Sequence, residues 1–224
     1  MEVAMTEGAK IWESIVPGES VLIEYDSLTL PYKGFYYLIT WARKKGHDVV
    51  IIDILDTLSL YKTQIGLAKL EVEFLDNVEV IKVGGRLNVG KVLARLPASD
   101  IPKLIKDFEL TCTPYFSQNE NKQTIVVVLG LSKLFLLAES KFEALMLIDL
   151  LVEYGNSRKK TIFYFVNMDV LDDGSRYVMS LLEELATTVI RAVRAKDEEE
   201  TKPYVHVMVL KAINTEMEGF KLKL

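Results

Sequence analysis

Cysteine and histidine are nearly absent. Of 224 residues, one is a cysteine, Cys112, and two are histidines, His47 and His206. That excludes an intramolecular disulfide, a Cys-rich zinc cluster and a His-dominated metal site, so no metal or other cofactor is expected. Long apolar runs are missing as well. The most apolar stretch, Ile125 to Ala138, is too short to cross a bilayer and carries Lys133, so no membrane partner is expected. Basic charge is not in excess: 27 Lys and Arg stand against 32 Asp and Glu, a net charge of −5. Non-specific nucleic-acid binding draws its affinity from clustered cations on phosphates, and this balance disfavours it. Linkers rich in Pro, Gly or Ser and low-complexity tracts are lacking, which excludes disorder and points to a single domain. Met1 to Lys10 has no basic start followed by an apolar run, so no signal peptide is expected and the cytoplasm is the expected compartment.

What is present is apolar residues, half of the chain, arranged in short runs. A chain of this length can bury roughly 70% of its unfolded surface, enough for a substantial core without covalent staples. Val21 to Tyr25 follows the turn Pro17-Gly18-Glu19-Ser20 and has the β-branched and aromatic character of a buried first strand. Next, Phe35, Leu38, Ile39 and Ala42 repeat at helical spacing, with Pro31 at a first helical position, Thr29 or Ser27 as cap and Gly46 as stop. Arg43, Lys44 and Lys45 end that helix, where cations complement its dipole. His47 to Leu55 supplies a second strand, continuously apolar over Val49 to Ile52. Strand, helix, strand with an apolar second strand predicts a parallel crossover unit covered on both faces.

The pattern continues. Helices are expected over Ile65 to Phe74, over Ile101 to Leu110 (opened by Ser99 and Pro102), over Ser140 to Tyr154 and over Ser175 to Ala186. Strands are expected over Val78 to Val83, Thr124 to Leu129, Thr161 to Val166 and Val189 to Val193. Turns are expected at Asp172-Asp173-Gly174 and over Lys196 to Lys202, the latter leading to an antiparallel strand from Tyr204 to Ala212 at the sheet edge.

The segment Trp12-Glu13-Ser14-Ile15-Val16-Pro17-Gly18-Glu19-Ser20-Val21-Leu22-Ile23-Glu24 resembles the opening of RecA-like ATPase domains of the KaiC type. Leu182 to Arg191, Val207 to Lys211 and the closing Gly219-Phe220 are similar to the later segments of that family, and within it the chain looks most like a group of uncharacterised archaeal proteins with degenerate KaiC-like domains. The resemblance implies a three-layer α/β fold, P-loop NTPase-like, with a mostly parallel sheet flanked by helices and an antiparallel C-terminal strand pair, as one domain over residues 1–224.

The chemistry of that family is another matter. A phosphate loop needs glycines so that backbone N–H groups can wrap the phosphates, a Lys for the terminal ones and a Ser or Thr hydroxyl for magnesium. The corresponding stretch is Tyr25-Asp26-Ser27-Leu28-Thr29-Leu30-Pro31-Tyr32, in which Tyr25 and Leu30 replace glycines, Pro31 the Lys and Tyr32 the hydroxyl ligand. Asp26 also brings a carboxylate to where phosphates would arrive, and Lys33-Gly34 comes two residues late. No carboxylate follows Val126-Val127-Val128, where Leu129 or Gly130 stands for the family's magnesium-binding Asp. The acidic pair that orients the attacking water is half met by Leu55-Asp56; Asp53 and Asp56 read more readily as ordinary strand-end polar residues. The late Lys-x-Arg element is reduced to Lys211. Gly85-Arg86-Leu87-Asn88-Val89-Gly90-Lys91-Val92 matches phosphate-loop spacing apart from Val92, but Pro97 follows too soon for the helix such a loop requires, so a strand, a Gly-rich turn and a second strand or extended loop are expected.

Cys112 has no neighbouring His, and no Gly-x-Ser-x-Gly elbow exists, so a nucleophilic triad is absent. The aromatic group Tyr32, Phe35, Tyr36, Tyr37 and Trp41 reads either as a contact surface or as packing that fills a nucleotide's place. The expectation is a catalytically inactive binding module for a protein, a peptide or a second copy of itself. Its candidate site is the degenerate loop and the nearby strand end: Tyr25, Asp26, Ser27, Thr29, Tyr32, Lys33, Asp53 and Asp56. The competing reading is a divergent nucleotide-binding ATPase or small-molecule enzyme working at the carboxyl ends of the first two strands.

Overall fold

In a computed structural model the described residues are 2–118, 123–155, 157–171, 175–196 and 203–224. They build one nine-stranded sheet in the order β4-β3-β2-β5-β6-β1-β7-β8-β9. The strands are β1 (Ser20–Tyr25), β2 (Asp48–Ile54), β3 (Glu79–Val83), β4 (Lys91–Leu96), β5 (Thr124–Leu129), β6 (Lys160–Asn167), β7 (Thr188–Ala195), β8 (Tyr204–Lys211) and β9 (Lys221–Lys223). From β4 to β7 every neighbour is parallel, and β8 and β9 close the sheet antiparallel. β1 and β5 are buried along their whole length, as aliphatic runs covered on both faces must be.

Seven α-helices are described: α1 (Glu2–Ser14), α2 (Tyr32–Lys44), α3 (Thr57–Leu67), α4 (Ile101–Gln118), α5 (Leu131–Leu137), α6 (Lys141–Gly155) and α7 (Arg176–Leu185). Side chains of α1, α2 and α3 share one core with the alternate strand residues Val21, Ile23, Ile51, Val80 and Val127. Those of α4 to α7 share the other with Leu22, Val50, Ile52, Ile81 and Val126. The period-2 alternation of the strands therefore divides the apolar residues between two faces.

This uneven division of helices has a geometric consequence. Nine strands spaced about 4.8 Å apart span roughly 40 Å, whereas three helices about 10 Å in diameter cover roughly 30 Å. The face that carries α1 to α3 is short of cover by about one helix, and the 3₁₀ turn Glu73–Asn77 adds only Phe74 and Leu75 to it.

Four expected helix limits or caps differ. The helix expected over Ile65 to Phe74 runs instead from Thr57 to Leu67, because Asp53 Oδ1 accepts the Leu58 N–H at 2.9 Å and fixes an earlier start; Lys69, at φ 57°, lies beyond its end. The helix expected to stop at Leu110 continues to Gln118 through Pro114. Its extra turns pack Phe116 near Tyr154 of α6, with the Lys160 ammonium 5.0 Å and 5.1 Å from the two rings. Its opening is held by Asp100, whose Oδ1 accepts the Lys103 N–H at 2.8 Å, and not by Ser99. Nor does Ser27 or Thr29 cap α2: Pro31 precedes it with no side-chain bond, and Gly46, at φ 75°, follows its end as expected. The segment after Gly85 is strand β4, parallel to β3, with Lys91 at its exposed start. The expected turns at Asp172-Asp173-Gly174 and over 197–202 lie outside the described residues.

Candidate functional site

The loop between β1 and α2 is shaped by Asp26. Its Oδ1 accepts the N–H groups of Leu28 at 2.9 Å and Thr29 at 2.7 Å, and its Oδ2 accepts the N–H of Arg194 on β7 at 2.7 Å. The neighbouring Ser27 N–H donates to Asp169 Oδ2 at 2.8 Å, and the Asn167 amide donates to Ser27 Oγ at 3.2 Å. In a phosphate loop such N–H groups point at the ligand's oxygens. Here two carboxylates of the chain take them. Burial alone would raise the pKa of Asp26, but the N–H groups of Arg194, Thr29 and Leu28 outweigh it and hold the carboxyl below the ordinary aspartate value.

Asp53 and Asp56 stand elsewhere. β2 is separated from β1 by β5 and β6, roughly 14 Å across the sheet. Asp53 is cross-strand partner to Lys82 of β3, whose fully buried ammonium donates to Asp53 Oδ2 at 2.6 Å and Asp56 Oδ1 at 2.5 Å. Asp56 Oδ2 also accepts the Arg86 N–H at 2.8 Å, which ties in the Gly-rich turn after β3. To reach both, Leu55 and Asp56 take left-handed conformations at φ 50° and 62°, a strain of about 1 to 2 kcal/mol each that the ion pairs offset. Above this turn Lys133 donates to Thr57 Oγ1 at 2.8 Å and Leu55 O at 3.3 Å. Burial lowers the Lys133 pKa despite Asp53 and Asp56 nearby. Gly130, at φ 83°, leaves the room for this, since a Cβ there would collide with Thr57 Oγ1.

A second buried charge sits in β1. Glu24, fully buried, accepts from Arg191 Nε at 2.6 Å, and Arg191 reaches Glu183 of α7 at 3.1 Å. Burial pushes the Glu24 pKa up to about 7 against the pull of Arg191. Lys211, the remnant of the late basic element, donates to the backbone carbonyls of Glu183 at 2.9 Å and Glu184 at 3.2 Å near the C-terminal end of α7. Lys82, Lys133, Asp169 and the Glu24–Arg191 pair were missed by sequence reasoning. The available signal was a charge inside an aliphatic strand, Lys82 after Val80-Ile81 and Glu24 after Leu22-Ile23, which demands a buried partner.

Beside the loop the uncovered face opens into a groove of about 530 Å³ between α1 and α2. Its floor is Ile23, Tyr25, Phe165, Ile190, Ala192 and Val207, and Trp12 of α1 and Tyr36, Tyr37 and Trp41 of α2 line its walls. Leu30, 52% exposed, stands at its mouth beside Pro31. Of the candidate residues, Tyr25, Thr29 and Lys33 line this groove; Asp26 and Ser27 hold the loop above it. Tyr32 is buried, as is Phe35, while Tyr36, Tyr37 and Trp41 are half-buried. The aromatic group thus divides between packing and groove wall. Among the described residues no cluster of three or more His, Cys, Asp or Glu is placed to hold a metal, and no helix is long and apolar enough to cross a membrane.

Comparison with known proteins agrees with this frame. The family model described as "Pyrococcus protein of unknown function, DUF257" matches residues 10–223. The chain is similar to the solved structure of protein PH0250 from Pyrococcus horikoshii OT3, at 29% identity over 95% of each chain, with a TM-score of 0.77. The KaiC-like protein PH0186 of the same organism has 17% identity over 92% of this chain and 85% of its own, with a TM-score of 0.64. The uncharacterized protein PH0321, also from that organism and solved in complex with an unknown peptide, has 16% identity over 90% of this chain and 91% of its own, with a TM-score of 0.59. The fold is RecA/KaiC-like. No curated protein matches the chain.

Two substitutions test the site's electrostatics. Lys82→Met strands two carboxylates, one of them fully buried, and is expected to cost about 3 to 5 kcal/mol in urea unfolding; a loss below about 1 kcal/mol contradicts the buried triad. Asp26 is held ionised in the folded state, so near pH 4 the folded chain binds fewer protons than the unfolded one. Its contribution is present above that pH and is lost as pH falls from there through the lowered folded value. Asp26→Asn is therefore expected to lower stability at pH 7 by about 1 kcal/mol and to flatten the acid limb of the stability profile. Superimposable profiles contradict the assignment.

Proposed function

The chain belongs to that Pyrococcus family, and we propose that it is a binding module on a RecA-like frame, residues 1–224 acting as one domain, rather than a phosphoryl-transfer enzyme. The observation that carries this reading is the pairing of two features. The loop that would wrap phosphates spends the N–H groups of Ser27, Leu28 and Thr29 on Asp26 and Asp169, and a roomy apolar groove lies directly beside it. Phosphoryl transfer works by positioning and charge neutralisation. A loop whose N–H groups go to carboxylates, with Pro31 where the phosphate-loop Lys would stand, supplies neither.

The ligand is a peptide segment that places apolar side chains on the groove floor. Extended segments and apolar helix faces both use such surfaces, with side-chain pockets giving selectivity. The crystal complex of the structural neighbour PH0321 with an unknown peptide supports a peptide as ligand on this frame. A second copy of the chain, offering its own exposed Leu28 and Leu30, is the competing occupant.

The groove carries its own reporter. Both tryptophans of the chain, Trp12 and Trp41, line it. Titration with a neutral peptide rich in Leu and Phe is expected to shift tryptophan emission saturably. Thr40→Phe, which fills the groove from the surface of α2, is expected to weaken binding about tenfold or more, by removing room for one apolar side chain. The reading fails if the emission does not respond, or if the filled variant binds as well as the parent.

A further inference from the structure

We propose that the groove selects a peptide segment with acidic residues flanking a short apolar stretch; this rests on the groove being the binding site. The charged residues lining it are Lys33 and Lys44 on α2, Lys45 just past its end, and Glu13 on α1. None of the three ammonium groups has a hydrogen bond or ion pair among the described residues, and all three lysines are exposed. A chain of net charge −5 thus keeps a cationic rim around this apolar groove.

The lysines are also ordered along the helix. At 3.6 residues per turn Lys33, Tyr37 and Lys44 fall within about 40° of one another, on the side of α2 that lines the groove. Lys33 lies at the start of the helix and Lys44 and Lys45 at its end, roughly 16 Å apart at 1.5 Å per residue. Between them lie the aromatic walls of Tyr36, Tyr37 and Trp41. An extended peptide rises about 3.3 Å per residue, so about five residues separate the two cationic ends. The fitting ligand therefore has an acidic residue, about four mainly apolar residues and a second acidic residue. A fatty acid has one anionic end and leaves the other cationic end unmet, which is why a peptide is assigned.

The test compares three peptides with one apolar centre and flanks of Glu, Gln or Lys at that spacing, followed by tryptophan emission of the full chain. The Glu peptide is expected to bind about threefold to tenfold more tightly than the Gln peptide, the Lys peptide least tightly, and the margin is expected to shrink with added salt. Bulk attraction to an acidic protein gives the opposite order, so the ranking isolates the rim. In the triple variant Lys33→Glu, Lys44→Glu and Lys45→Glu the order is expected to reverse. Equal binding of all three peptides overturns the acidic preference and leaves the groove reading standing. If none of them binds, both fall. Palmitate binding more tightly than the Glu peptide, and losing affinity on substitution at only one end of α2, overturns the peptide assignment.

Discussion

Much of this molecule turns on where the carboxylate of Asp26 goes. The first strand of a RecA-like sheet delivers its loop to the start of a helix, where several N–H groups converge and need an acceptor. A nucleotide answers that need in a working ATPase. In this chain Asp26 answers it from within, bridging Leu28 and Thr29 of the loop to Arg194 of β7, and Asp169 takes Ser27. The loop is thereby closed and anchored to both neighbours of β1 without any ligand. On the proposed reading, freedom from phosphate is a property the fold acquired by internal substitution, and the glycines and lysine of a phosphate loop then have no further use.

The same logic of internal replacement runs through the rest of the sheet's carboxyl edge. Asp53, Asp56 and Lys82 neutralise one another, and Lys133 closes over them. Glu24, Arg191 and Glu183 tie β1 to β7 and α7. Each cluster spends its charge on holding elements together, and the two stand on different strands. The groove beside the loop is apolar instead. Three helices fall short of covering one face of a nine-stranded sheet, and the shortfall becomes the groove between α1 and α2. The site on the proposed account is thus a gap in the packing, bordered by lysines that form no ion pair among the described residues.

The strands were legible because buried parallel strands must be aliphatic throughout, so Val49 to Ile52, Thr124 to Leu129 and Thr161 to Val166 announce themselves in any register. Helix limits were less so. The start of α3 depends on Asp53, five residues before the N–H it accepts, and the length of α4 depends on aromatic contacts with α6 across the fold. Neither is a local signal. The candidate residues were legible one at a time, and Tyr25, Thr29 and Lys33 do come together at the groove. The separation of Asp53 and Asp56 from them follows from strand order, which two intervening strands, β5 and β6, determine later in the chain. The groove itself was hidden because it arises from how many helices settle on each face, a property of the whole sheet.

The central claim is that the loop after β1 is filled by the chain's own carboxylates. Isothermal titration of the full chain with ATP and magnesium at pH 7 tests it most directly. The account predicts no saturable heat at millimolar nucleotide. Stoichiometric binding that is lost on substitution at Lys33 contradicts it.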